Sequence, residues 1–180
     1  MKGPCVLKII PAHFQCGHHP SKPILHRSTH TGLCHVVNNF PKVRLIVVGR
    51  VKKGWLREGL AVYLQRLPEL EIIELKDADP HKEGEQILAM VKGGDRLIAL
   101  TEEGQSLSSA QFATWISRAN SHSLVFAIGS AEGLSPAVKQ AAAQSVSLSP
   151  MTFPHEVARL LLVEQLYRAK TILQGSRYHK

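Results

Sequence analysis

The residues best suited to chemistry lie in one stretch, Leu124 to Arg159, LVFAIGSAEGLSPAVKQAAAQSVSLSPMTFPHEVAR. His155 is a side chain that exchanges a proton near neutral pH, and it follows a run able to hold a ligand. In that run, Leu148 to Phe153, Pro150 and the following Pro154 remove two N–H donors. The other backbone N–H and C=O groups are left to read a ligand edge, with Leu148, Met151 and Phe153 as apolar walls. Gly129 ends an apolar run, where a missing Cβ lets a ligand approach the backbone. A second histidine, His179, stands in the terminal Tyr178-His179-Lys180. Each residue also has a plainer reading. His155 can simply bond backbone at a helix start, Glu132 can cap a turn as well as orient a base, and Gly129 and Gly133 can be ordinary turn glycines. Arg159 and Arg168 can bind phosphate, or pair with Glu156 and Glu164 at helical spacing.

The elements that must position these residues alternate in type. Strands are expected at Val43–Gly49, Leu70–Leu75, Asp95–Thr101, Leu124–Gly129 and Val146–Leu148, as apolar, β-branched runs. Helices are expected at Trp55–Leu67, Glu83–Val91, from the Ser108/Gln111 capping box to about Ala119, at Ala137–Gln144 behind Ser135-Pro136, and from about Pro154 to Leu173 before Gly175. Lys76–Lys82 and the TEEGQS segment read as loops. Such alternation predicts an α/β fold with a parallel, doubly wound sheet, whose ligands bind beyond the carboxyl ends of the strands. The last helix carries Val157, Leu160, Leu161, Leu162, Val163, Leu166 and Ile172, more than one stripe, so it needs a partner besides the sheet. A second subunit is the simplest one. Arg50, Lys52 and Lys53 follow the first strand at the ligand end and are fair phosphate contacts.

Composition bounds the function class. The chain has 180 residues and a formal net charge of +8, which suits a polyanionic partner. No run of eighteen apolar residues exists, so no membrane-spanning helix is expected. No G-x-x-x-x-G-K-[ST] is present, which excludes the P-loop route to nucleotide hydrolysis. Residues 1–42 differ from the rest: they hold all three cysteines, six of the ten histidines, five prolines, five cations and no Asp or Glu. They read as a disordered or non-native extension, translated from too early a start codon. An organellar transit peptide is the other reading, though a single arginine and few serines fit it poorly. Cys16, His18, His19, Cys34 and His35 match no common zinc spacing, so no metal is expected. The cysteine-free remainder, 43–180, fits a reducing, cytoplasmic compartment.

IGSAEGLSP, then SLSPMTFPHEVARLLLVEQLYRA, then the final YHK closely resemble the RlmH family, SPOUT-class methyltransferases of bacterial large-subunit ribosomal RNA. The VVG strand end and the KEGEQIL helix start belong to the same resemblance, which runs from Val43 to Lys180. It implies a sheet of five to six parallel strands with a C-terminal deep trefoil knot, and a homodimer. It implies S-adenosylmethionine as methyl donor, held by Leu100, Gly129, Leu148, Ser149, Pro150, Met151, Thr152 and Phe153. It implies methylation of a pseudouridine at N3, on the ribosome or its RNA. That nitrogen is a poor nucleophile until it loses its proton, so the site needs a base. His155 or His179 is the expected base or relay, with Tyr178 stacking or hydrogen-bonding, and the tail reaching over from the partner subunit. Arg50, Lys52, Lys53, Arg159 and Lys180 are the expected RNA contacts.

This sequence departs from the family in two places. Ser130 stands where a second glycine is usual, which costs roughly 1 kcal/mol if that position needs φ > 0. The 76–82 loop is also shorter and less basic than is common. Two other readings share the same residues: a SPOUT methyltransferase acting on another RNA, and a non-catalytic RNA- or ribosome-binding protein that has lost its donor site.

Overall fold

The computed structural model describes residues 40–119, 123–176 and 178. The expectations for residues 1–39, including the histidine- and cysteine-bearing segment, and for His179 and Lys180 fall outside these. Five strands and five helices alternate: β1 (Val43–Val48), α1 (Gly54–Leu64), β2 (Leu70–Leu75), α2 (Pro80–Met90), β3 (Arg96–Ser106), α3 (Ser109–Ser117), β4 (Leu124–Ile128), α4 (Pro136–Ala141), β5 (Gln144–Ser147) and α5 (His155–Leu173). All strand pairs are parallel, in the order β2-β1-β4-β3-β5. The α/β, doubly wound class is therefore as expected, with five strands.

Both faces of the sheet are covered, which explains the uninterrupted apolar runs. Val43, Leu45 and Val47 of β1 and Leu124, Phe126 and Ile128 of β4 pack toward a cluster holding Leu56, Phe112, Leu162 and Leu166, from α1, α3 and α5. Ile46, Val48, Val125 and Ala127 face the other way, onto Ile87 of α2 and Val138 of α4. Phe40 is buried in the first cluster, so the core extends a few residues ahead of β1.

Several boundaries differ from expectation, and three of them have an identifiable physical reason. Helix α2 begins at Pro80, because Asp79 caps it by accepting from the Lys82 N–H at 3.1 Å and Pro80 suits the first helical position. Helix α4 is only six residues long and ends at Ala141, because the chain from Gln144 pairs with Ile98 and starts β5. The TEEGQS segment is not a loop but the second half of β3. Val146 of β5 is the register partner of both Leu100 and Gln105, so β3 meets β5 twice. Gly104 permits this: a Cβ there would lie 2.6 Å from the Val146 carbonyl carbon. The Ser108 capping box is present in full, with the Gln111 side chain accepting from the Ser108 N–H at 2.8 Å.

Candidate functional site

Beside the middle of β3 and at the carboxyl ends of β4 and β5 the chain leaves a cleft of about 510 Å³, within the range of small-molecule and cofactor sites. Leu100 and Thr101 come from β3, Ile128 to Gly133 from the turn after β4, and Leu148, Ser149 and Met151 to His155 from the connection into α5. Of the eight expected donor-site residues, seven line this cleft. Pro150 does not; it is exposed and outside the lining.

The connection after β5 is held by its own serines. Ser147 donates its hydroxyl to the Ser149 carbonyl at 2.9 Å, and the Met151 N–H donates to the Ser149 hydroxyl at 3.0 Å. The backbone is thus less free than the sequence suggested: the Met151 N–H is already used. The N–H groups of Thr152 and Phe153 have no partner among the described residues. They remain to meet a ligand, beside the side chains of Leu148 and Phe153.

Gly129 corrects the sequence reading in a different way. It is buried, and a Cβ there would lie 2.2 Å from the Gly133 carbonyl oxygen. The close approach that requires glycine comes from the chain's own turn, not from a ligand. Ser130 accepts from the Gly133 N–H at 3.1 Å, and Gly133 takes the positive φ, +80°. Ala131 and Glu132 form the exposed tip and face the cleft.

His155 is the first residue of α5 and sits on the cleft rim. It lies over Gly49, at the end of β1. A Cβ on Gly49 would stand 3.3 Å from His155 Nε2 and 2.9 Å from Asp77 Oδ1, and Gly49 itself has φ +80°. Asp77 thus shares the space above β1 with His155. Sequence reasoning missed it, because it looked like one polar residue among several in a loop. Next to His155, Glu156 Oε2 accepts from the Lys52 N–H at 2.9 Å. Desolvation pushes the Glu156 carboxyl up, but the N–H groups of Lys52 and Lys53 outweigh it and hold the group below its usual value.

Arg159 is not a surface RNA contact. Its side chain is 2% exposed, donates to Glu74 Oε1 at 2.7 Å and donates to the Gly49 carbonyl at 2.7 Å. Neither Glu156 nor Glu164 is its partner; a carboxylate 85 positions earlier is. Helix α5 is thereby clamped to the ends of β1 and β2. Arg168 does pair with Glu164 at helical spacing, at 2.6 Å. Arg50, Lys52 and Lys53 are all exposed on the turn after β1.

Tyr178 lies elsewhere in its own chain. Its hydroxyl donates to Glu164 Oε1 at 3.3 Å, its ring packs edge-on against Tyr167 at 4.8 Å, and the Arg168 guanidinium covers it at 5.1 Å. Glu164 is nine residues along α5 from His155, about 13 Å at helical rise. Burial, the Tyr63 hydroxyl and the Glu164 carboxylate push the phenol up to about 12. A single copy of the chain therefore does not bring Tyr178 to the cleft.

The family model described as "Predicted SPOUT methyltransferase" matches residues 42–179. A protein of Prochlorococcus marinus (strain MIT 9211), named Ribosomal RNA large subunit methyltransferase H, is 50% identical over 142 residues, covering 79% of this chain and 98% of that protein. A protein of the same name from Synechococcus sp. (strain RCC307) is 50% identical over 139 residues, covering 77% and 95%. Among solved structures, a probable methylase family protein from Haemophilus influenzae Rd KW20 superposes with a TM-score of 0.51 at 10% identity, over 79% of this chain and 72% of that one. That likeness concerns the fold alone.

Proposed function

The chain belongs to the SPOUT methyltransferase family, and from that premise we propose that it methylates N3 of a pseudouridine in large-subunit ribosomal RNA, using S-adenosylmethionine. The observation that carries this reading is the cleft, formed beside the middle of β3 and where β4 and β5 end, and lined by seven of the eight residues the resemblance assigns to the donor. The residues suit the group. Leu100, Ile128, Leu148 and Phe153 offer apolar walls, and the unpartnered N–H groups of Thr152 and Phe153 can donate to a heterocycle edge. When bound, S-adenosylmethionine supplies an electrophilic methyl group. The chain supplies the rest: it places the nucleotide in line and removes the N3 proton. His155 is at the rim to take that proton at Nε2, with His179 as the relay of the tail.

The proposed unit is a homodimer, in which the Tyr178–Lys180 tail of one copy reaches the cleft of the other. Support comes from α5, whose Leu161 borders a second hollow of about 310 Å³ with Leu107, Phe112 and Phe153, and with Ser108, Ser109 and Gln165 as its polar lining. It also comes from the separation of Tyr178 from His155 within one copy. The reading includes the trefoil knot of the family. The enzyme is read as cytoplasmic; no described helix is long and apolar enough to cross a membrane.

Transfer of a labelled methyl group from S-adenosylmethionine to ribosomes and to free ribosomal RNA, followed by mapping of the modified nucleotide, tests the reading. Label at N3 of one pseudouridine is expected. Binding of the donor without transfer to either RNA would overturn the substrate. A folded protein that binds no donor in calorimetry would instead support the non-catalytic alternative.

A further inference from the structure

The eight residues from Arg50 to Arg57 carry Arg50, Lys52, Lys53 and Arg57 and no acid. They form the turn after β1 and the first turn of α1. The hydrogen bond from the Lys52 N–H to Glu156, the neighbour of His155, holds this turn beside the cleft rim. In the middle of the cations stands Trp55, 59% exposed. Helix α1 buries Leu56 and Leu60 against the sheet, and Trp55, one position earlier, points away from that face. Leaving so large an apolar side chain in water forgoes the stabilisation of burying it. Its Cα is three residues from Lys52, within about 10 Å.

We propose that Trp55 is a stacking platform for an unpaired base of the RNA substrate, flanking the nucleotide in the cleft, with Arg50, Lys52 and Lys53 on the adjoining phosphates. An exposed aromatic ring within a cationic, acid-free segment is the pairing that single-stranded RNA recognition uses: rings take bases and cations take the backbone. A second copy of the chain suits the patch less well. In a two-fold interface the same patch faces its own copy, which would bring two cationic segments together. The inference deepens the proposed function and rests on it.

Three measurements test it, on wild type, Trp55→Phe and Trp55→Ala: methyl transfer to ribosomes, quenching of tryptophan fluorescence by a single-stranded RNA oligonucleotide, and mass in solution. Quenching is expected in the wild type and lost in both variants, since Trp115 is the other tryptophan and lies half-buried. Trp55→Ala is expected to raise the KM for ribosomes about tenfold or more, with the loss on KM rather than kcat, while Trp55→Phe, which still stacks, restores most of it. Mass is expected to be the same in all three. An unchanged KM in Trp55→Ala overturns the inference. So does a fall in mass, which would make this face a subunit contact. If the wild type transfers no methyl group to ribosomes, the proposed function fails, and the quenching alone then decides whether Trp55 meets RNA.

Discussion

The Arg159 guanidinium donates to the Gly49 carbonyl at 2.7 Å, across 110 residues of chain. The same guanidinium holds Glu74 at 2.7 Å. One buried cation thus joins the start of α5, which carries His155, to the ends of β1 and β2. Its partners fix how the cleft rim stands over the sheet.

Substituting Arg159 tests whether this clamp is structural. Arg159→Met is expected to cost roughly 2–3 kcal/mol, below the range for a fully buried pair because Glu74 is 38% exposed. Denaturant unfolding measures the loss. The salt dependence of RNA binding is expected to stay as in the wild type, since a buried guanidinium releases no counterion on binding. A flatter salt dependence with unchanged stability would return Arg159 to the RNA surface.

Gly129 is expected to tolerate no side chain. A Cβ 2.2 Å from the Gly133 oxygen must displace the 130–133 turn, and overpacking of this kind costs about 1–3 kcal/mol. Gly129→Ala should lower the melting temperature and weaken donor binding in calorimetry together, because the turn is one wall of the cleft. Gly104→Ala should lower stability by a similar route, at the crossing of β3 and β5.

Tyr178 titrates late. Its folded value is raised to about 12 against about 10 in the unfolded chain, so the folded state holds the proton more tightly. The resulting stability is fully present below pH 10 and is lost as pH rises toward 12. Ultraviolet titration should show a late-ionising tyrosine that disappears in Tyr178→Phe. A phenol so raised is protonated near neutrality and acts by hydrogen bonding or stacking, not as a base.

His155→Ala is expected to lower kcat by about 10²-fold or more, the range for loss of a general base, with donor affinity nearly kept. His179→Ala, prepared in parallel, apportions the burden between rim and tail. Full activity in both variants would remove histidine from the proton transfer.

The fold was largely legible because its signals are local. Runs buried on both faces marked β1, β4 and the first half of β3, and the Ser108/Gln111 pair marked the start of α3 through a capping box that is present in full. The second half of β3 was hidden, because TEEGQS is polar and its strand character comes only from contact with β5. Asp77 was hidden for a similar reason: nothing in a polar loop says that its carboxylate will stand over Gly49.

Family, alternating architecture and the identity of seven cleft-lining residues were determined by the sequence alone, since each rests on residue type and order along the chain. The tertiary structure decided which of those residues are accessible. Arg159 looks like a phosphate ligand in one dimension and is a buried clamp in three. Gly129 looks like an opening for a ligand and is filled by its own turn. Burial and close approach depend on which distant segments meet, and chain order does not encode that meeting in any one residue.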